Sequence, residues 1–326
     1  MSLLAISDLS AEQIQFYLDT SRAFKKYIDS NSQQGEPIVP ILKGKTIVNL
    51  FFEHSTRTRL SFELATRQLG GSVLNFASTS SSLQKGETLI DTARNIMAMK
   101  AHCFVIRHAS AGTPQYLAQE TGLPVVNAGD GFHEHPTQAL LDALTMIEHL
   151  GSLKGKRVVI LGDIAHSRVA RSNIHLLTKL GASVAVCAPP TLLPPRPETL
   201  GVDFAYRPED VLPAADVVMA LRVQLERQNK MQLPSIQEYA RFWGLNRERA
   251  KLLKPTTIIM HPGPVNRGVE LDTEVADGPN SVILNQVKNG VIVRMAVLAA
   301  ACDLKNLQTW LKIASPLTTG DKGILS

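Results

Sequence analysis

Short apolar runs alternate with helix-period segments along most of the 326 residues. Residues 46–52 (TIVNLFF) have the length and β-branched content of a strand buried on both faces. A helix is predicted over about 56–69 and a short strand at 72–76. A second helix over 87–100 sets Leu89, Ala93, Ile96 and Met97 on one face. Residues 103–107 and 125–128 add two strands, and 136–150 another helix. After the turn-rich 151–156 (GSLKGK) the alternation restarts, with strands at 157–161, 183–187, 216–221 and 257–260 and a helix at 169–180. Residues 189–197 read as an irregular loop, because proline removes N–H donors and disfavours helix. A long apolar helix is predicted over 285–304, too apolar for a surface tail.

This βα alternation predicts an α/β fold of two doubly wound parallel-sheet domains of similar size, with the C-terminal helix packing back on the N-terminal domain. The expected division is 1–150 plus a returning helix at about 285–312, and 151–284. Open parallel sheets bind ligands beyond the carboxyl ends of their strands. That rule singles out the segments after Phe52, Arg107, Ala128, Leu161, Leu221 and Met260, each of them polar, basic or rich in Gly and Pro.

Composition removes several alternatives. With 44% hydrophobic and 19% charged residues, the chain has ample material for packed cores and none of the bias of disorder. Its longest uninterrupted apolar stretch, 295–302, is far short of the roughly 18 residues a membrane helix needs. The opening MSLLAISDLSAEQ has no basic n-region, so a cytoplasmic location is expected. Cys103, Cys187 and Cys302 are far apart and form no CxxC, which argues against a disulfide framework or structural zinc. The net charge of +5 is uneven: residues 1–150 carry 12 Lys and Arg against 14 Asp and Glu, the remainder 22 against 15. Like charges form no long run and aromatics are only 5%, so a nucleic-acid groove is not indicated.

The strand-end segments carry the candidate chemistry. In FFEHSTRTRLSFE, Ser55, Thr56, Arg57, Thr58 and Arg59 stand where a strand gives way to a helix, and unpaired N–H groups there suit an anion. An ordinary Ser/Thr cap with two surface arginines would leave the same residues. In SSSLQKGETLIDT, Lys85 precedes a helix in a loop long enough to be functional, although a flexible polar loop reads the same way. Arg107 ends a buried strand and needs an anion or a salt bridge, for which Glu53 or Asp130 could serve. In GDGFHEHPTQALLDAL, Pro136 fits a first helical turn and sets His135 and Gln138 three apart, suited to a carbonyl and an amide. His133 and His135 also form an HxH pair, but no third metal ligand is indicated nearby.

In VVILGDIAHSRVARS only Gly162 stands where a dinucleotide-binding turn needs three glycines, and His166, Ser167 and Arg168 open the helix instead. Arg222 leaves another strand in the same basic half, and two separated arginines suit a dicarboxylate. IIMHPGPVNRG is a rigid turn that can present carbonyls to NH groups. No nucleophile elbow, activated cysteine or paired acids appear, which favours positioning and electrostatic stabilisation over covalent catalysis.

STRTRLSFE, SLQKGETLIDT, HEHPTQALLDAL, GDIAHSRVARS, LRVQLER and HPGPVNRG, in this order, closely resemble the catalytic chain of the aspartate carbamoyltransferases from about residue 46 to 304. The resemblance implies that Ser55, Thr56, Arg57 and Thr58 hold the phosphate of carbamoyl phosphate, that Arg107, His135 and Thr58 polarise its carbonyl, and that Gln138 and the backbone at Gly263 and Pro264 hold its amide. Arg168, Arg222 and Gln224 would bind the two carboxylates of L-aspartate. Lys85, with Ser81 or Ser82, would reach in from a neighbouring subunit of a homotrimer. The products would be N-carbamoyl-L-aspartate and phosphate, in de novo pyrimidine biosynthesis, without metal or organic cofactor. Dihydroorotase, an inactive dihydroorotase-like chain or a regulatory chain would be the partners to expect.

Ornithine carbamoyltransferases usually carry His-Cys-Leu-Pro where this chain has His261-Pro262-Gly263-Pro264, and their Ser-Met-Gly element is absent. Aspartate is therefore the expected acceptor, with ornithine the nearest alternative. An NAD-dependent dehydrogenase would rest on VVILGD alone, and an inactive scaffold subunit would have no reason to retain every expected polar group.

Overall fold

Four of the predicted apolar runs pair as one parallel sheet. The computed structural model describes residues 1–31, 39–53, 55–77, 87–223 and 235–314. The chain divides into two units, residues 1–140 with 289–326, and residues 141–288. The first unit opens with α1 (Ala11–Asn31), β1 (Thr46–Phe51), α2 (Thr56–Gln68) and β2 (Ser72–Ala77). It continues with α3 (Leu89–Ala98), β3 (Cys103–His108), α4 (Thr113–Thr121) and β4 (Val125–Asp130). The strand order is β2-β1-β3-β4, every pair parallel. Val48, Leu50, Phe104, Ile106 and Val125 line one face and pack on Ile90, Ala93 and Ile96 of α3 and Leu117 of α4. Ile47, Phe51, Cys103 and Val105, the alternate positions, are buried too, so these strands read as continuous apolar runs. Leu3 adds to the β4 edge: its N–H donates to Val125 O, and Asn127 N–H donates back to Leu3 O, both at 2.9 Å.

The second unit repeats the plan. After α5 (Pro136–Leu150) come β5 (Arg157–Leu161), α6 (Arg168–Lys179), β6 (Ser183–Cys187), β7 (Asp203–Ala205) and β8 (Val217–Ala220). Then follow α7 (Ile236–Phe242), α8 (Arg247–Ala250), β9 (Ile258–Met260) and α9 (Thr273–Ala276). The order is β7-β6-β5-β8-β9, again wholly parallel. Val159, Leu161, Ala185, Val218 and Ala220 form a core with Leu245, Leu271, Val275 and Ala276. The proline-rich loop contains two tight 3₁₀ turns, Pro190–Leu192 and Pro197–Leu200, before the short edge strand β7.

The long C-terminal helix predicted from sequence is two helices, α10 (Ile283–Cys302) and α11 (Leu304–Ala314). Asp303 breaks them, its carboxylate accepting Asn306 N–H at 3.1 Å as a helix cap. From Asn289 onward this region belongs to the first unit, and Trp310 packs on Phe24 of α1 with ring centroids 4.6 Å apart. Helix α1 was not among the predicted elements. Its buried face includes Thr20 and Ser21, which dilute the apolar stripe, and Ser21 Oγ satisfies itself by donating to Tyr17 O at 2.7 Å. No helix among the described residues is long and apolar enough to cross a membrane.

Each sheet has one topological switch point. In the first, the chain leaves β1 for β2 on one side and returns to β3 on the other. In the second it leaves β5 for β6 and β7, then returns on the opposite side at β8. Crevices for ligands open beyond the carboxyl ends of such strand pairs.

Candidate active site

At the β1/β3 switch point of the first unit, Phe51 and Arg107 stand in register. Phe52 N–H donates to Arg107 O at 2.9 Å, so the chain entering α2 is tied beside the arginine. Ser55 is the N-cap residue of α2 but makes no side-chain capping bond, and the first turn contains no acid. Arg57 there is exposed and Thr58 and Arg59 half-buried. A helix start with arginines, no carboxylate and an unused capping hydroxyl carries the wrong charge for its own dipole, and an anion would correct it. Arg107 Nε donates to Glu53 Oε2 at 3.2 Å, with both side chains largely enclosed. Of the two salt-bridge partners the sequence offered, Glu53 is the one engaged, so an arriving anion would compete with Glu53 for this guanidinium.

The neighbouring strand β4 leads into the loop that presents His135, and Asp130 organises it. One Asp130 oxygen accepts Asn127 Nδ2 at 2.8 Å and Glu134 N–H at 3.1 Å; the other accepts Gly112 N–H at 2.8 Å and lies 3.1 Å from His133 Nδ1. Glu134 is also buried, and its carboxylate accepts the N–H groups of Ile6 at 2.8 Å and Ser7 at 3.0 Å. Gly131 allows the turn: its φ is +47°, and a Cβ would lie 2.8 Å from Ala109 O. His135 and Gln138 are both buried, and the His135 carbonyl accepts Gln138 N–H at 3.0 Å at the start of α5. His108, beside Arg107, accepts Ser110 N–H on Nδ1 at 2.9 Å, and burial lowers its pKa.

Removing the Asp130 carboxylate would leave two backbone N–H groups and one amide without their acceptor. Asp130→Ala is expected to destabilise the first unit by about 3 kcal/mol, or roughly 6–12 °C in its unfolding midpoint. Calorimetry checks this, and a shift under about 2 °C would mean that the loop re-satisfies itself without the carboxylate.

In the second unit Arg168 and Arg222 stand at the β5/β8 switch point. Arg168 is buried at the first position of α6, whose first turn also lacks an acid. Its neighbours have local roles: Ser167 caps the helix by accepting Ala170 N–H at 3.1 Å, and His166 Nδ1 lies 2.9 Å from the buried Asp163. Arg222 is half-buried just beyond β8. Leu221 before it is pinned, its N–H donating to Leu161 O at 2.7 Å. Gly162 faces it with φ +126°, and a Cβ there would lie 3.0 Å from Leu221 Cβ and 3.1 Å from Leu221 O. So Gly162 serves close strand-to-strand approach. Beyond β9, Gly263 and Pro264 are joined by a cis peptide.

Ser55, Thr56, Arg57, Thr58, Arg107, His135 and Gln138 thus follow adjacent strands of the first sheet, and Arg168, Arg222, Gly263 and Pro264 follow adjacent strands of the second. Lys85, Ser81, Ser82 and Gln224 lie outside the described residues. Among the described residues no group of three or more His, Cys, Asp and Glu is placed to hold a metal. Burial pushes the Cys187 thiol up to about 12, and the neighbouring Cys302 thiol together with burial raises Cys103, so neither is an activated nucleophile. Sequence reasoning missed the buried carboxylates Glu134, Asp163 and Glu270; their position beside strand-end glycines and histidines was the only available signal.

Residues 1–148 match the family model described as aspartate/ornithine carbamoyltransferase, carbamoyl-P binding domain, and residues 154–301 match its Asp/Orn binding domain. Among curated proteins, the aspartate carbamoyltransferase catalytic subunit of Opitutus terrae is 55% identical over 296 residues, which cover 91% of this chain and 93% of that one. Among solved structures, aspartate transcarbamoylase from Trypanosoma cruzi in complex with carbamoyl aspartate and phosphate has a TM-score of 0.82 at 32% identity, covering 92% of this chain and 95% of that one. Ornithine carbamoyltransferase from Pyrococcus furiosus gives a TM-score of 0.79 at 32% identity, covering 92% and 96%.

Proposed function

The chain belongs to the aspartate/ornithine carbamoyltransferase family, and from that premise we propose that it transfers the carbamoyl group of carbamoyl phosphate to the α-amine of L-aspartate. The observation that carries this reading is that each sheet sets arginines at its own switch point: Arg57 and Arg107 in the first, Arg168 and Arg222 in the second. The first set suits a phosphate and a polarised carbonyl, the second a dicarboxylate. Similar folds accept ornithine, so the fold alone does not choose the acceptor. The choice is supported by the curated aspartate carbamoyltransferase at 55% identity and by Arg222, which suits a carboxylate where an ornithine site must accept an ammonium.

Ser55, Thr56, Arg57 and Thr58 hold the phosphate against the N–H groups that open α2. Arg107, His135 and Thr58 donate to the carbonyl oxygen, Gln138 and the backbone at Gly263 and Pro264 hold the amide, and Arg168, Arg222 and Gln224 hold aspartate. The unprotonated amine attacks the carbonyl carbon, a C–N bond forms, and negative charge collects on an oxygen already facing donors. The C–O bond to phosphate then breaks, and phosphate leaves with one of the amine's protons. No group on the enzyme becomes covalently attached. Lys85 and Ser81 or Ser82 complete the site of a neighbouring copy in a homotrimer. The exposed Leu60 and Leu64 of α2 and Leu74 on the edge strand β2 support self-association through this side of the unit. The reading carries with it a cytoplasmic location and a place in de novo pyrimidine synthesis.

The test is carbamoyl phosphate-dependent carbamoylation of L-aspartate by the purified chain, with L-ornithine alongside. Turnover on aspartate alone is expected. Turnover on ornithine alone would retain the phosphate half and discard the acceptor assignment, and inactivity on both would discard the reaction.

A further inference from the structure

Beyond β9 the chain folds back on itself around a buried acid and imidazole. His261 Nε2 lies 3.1 Å from Glu270 Oε1, and both side chains are almost fully enclosed. Gly263 N–H donates to His261 Nδ1 at 2.8 Å. That bond requires Nδ1 to be unprotonated, which puts the ring proton on Nε2, facing Glu270. The same Glu270 oxygen accepts Asn266 N–H at 2.6 Å. Asn266 Nδ2 then donates to the carbonyl of Val223 at 3.2 Å, and Val223 is the residue after Arg222. From the other side, Gln286 accepts His261 N–H at 2.9 Å and donates to Asp142 at 2.8 Å. One chain of directional bonds therefore runs from the Gly263–Pro264 turn to the backbone that carries Arg222.

A core brace does not need this construction. Replacing buried ionic or polar groups by well-packed apolar ones is often neutral or stabilising. Here Glu270 Oε2 is buried and has no hydrogen-bond partner among the described residues, a cost that a purely structural brace would avoid. What the network supplies is position, because it ends on backbone groups: Gly263 N–H and Asn266 N–H at the turn, and Val223 O beside Arg222.

We propose that Asn266, anchored by the His261–Glu270 pair, is a positioning residue that sets Arg222 relative to the Gly263–Pro264 turn and so determines how well aspartate is held. The inference rests on the proposed acceptor site. Asn266→Ala removes the bond to Val223 but keeps the backbone bond to Glu270. It is expected to raise KM for aspartate about tenfold, with kcat and KM for carbamoyl phosphate within about twofold and the unfolding midpoint nearly unchanged. Glu270→Gln, which retains the accepting oxygen, is expected to stay within about threefold of the parent in every constant, whereas Glu270→Ala raises both KM values. If Asn266→Ala folds and its KM for aspartate stays within twofold, the inference fails while the proposed function stands. It fails also if Asn266→Ala loses kcat in proportion to lost folded protein with KM unchanged, which is the mark of a structural role. A parent enzyme inactive on aspartate removes the proposed function, and this inference with it.

Discussion

Arg57→Ala is expected to lower kcat by roughly 10²–10³-fold while leaving the unfolding midpoint within a few degrees of the parent. The fold should tolerate the change because Arg57 is exposed at the first turn of α2. A cation there also opposes the helix dipole, so the dipole does not call for one at this position. The loss should appear in turnover because charge on the leaving phosphate grows toward the transition state, and in the proposed site the guanidinium would do most of its work there. Arg57→Lys separates charge from geometry: an ammonium keeps the attraction but lacks the fork that grips two oxygens, so an intermediate loss is expected. Steady-state kinetics with calorimetry on both variants make the check. Unchanged kcat in a folded Arg57→Ala protein would remove the phosphate from the start of α2.

Where the candidate site residues fall in the fold was largely legible in the sequence because apolar runs mark where strands end. TIVNLFF reads as a buried strand, which puts STRTR beyond its carboxyl end, and the same logic puts Arg107, His135, Arg168 and Arg222 at strand ends. Strand order was not legible. It arises from pairing between segments far apart in sequence, and only the order β2-β1-β3-β4 makes Arg57 and Arg107 neighbours across a switch point. The roles of the buried acids were not legible. In the sequence Asp130 stands out only as a possible partner for Arg107 and Glu134 not at all, yet each accepts backbone N–H groups, those of Gly112 and Glu134 for the first and of Ile6 and Ser7 for the second. The stretch before Thr46, which carried no functional signal in sequence, thereby supports the loop that presents His135.

Removing the Arg222 guanidinium is expected to fall on the acceptor alone. In Arg222→Met, which keeps length and loses the charge, kcat/KM for aspartate should drop by about 30–5,000-fold, the range for losing one partner of an enclosed, hydrogen-bonded charge pair. KM for carbamoyl phosphate should move little. The backbone at this position is held from both sides. Leu221 is trapped against Gly162, which has no room for a side chain, and Val223 O is held by Asn266. In the proposed site the guanidinium would meet its carboxylate without first ordering its own chain, which is why its loss should be large. L-Alanine, an amine with one carboxylate, shows which carboxylate Arg222 reads. If it reads the side-chain carboxylate, the preference of the parent for aspartate over alanine collapses in Arg222→Met. If it reads the α-carboxylate, both acceptors weaken together and the preference survives. An aspartate kcat/KM within about threefold of the parent would leave Arg222 with no part in acceptor binding, since even one charged hydrogen bond is worth more than that.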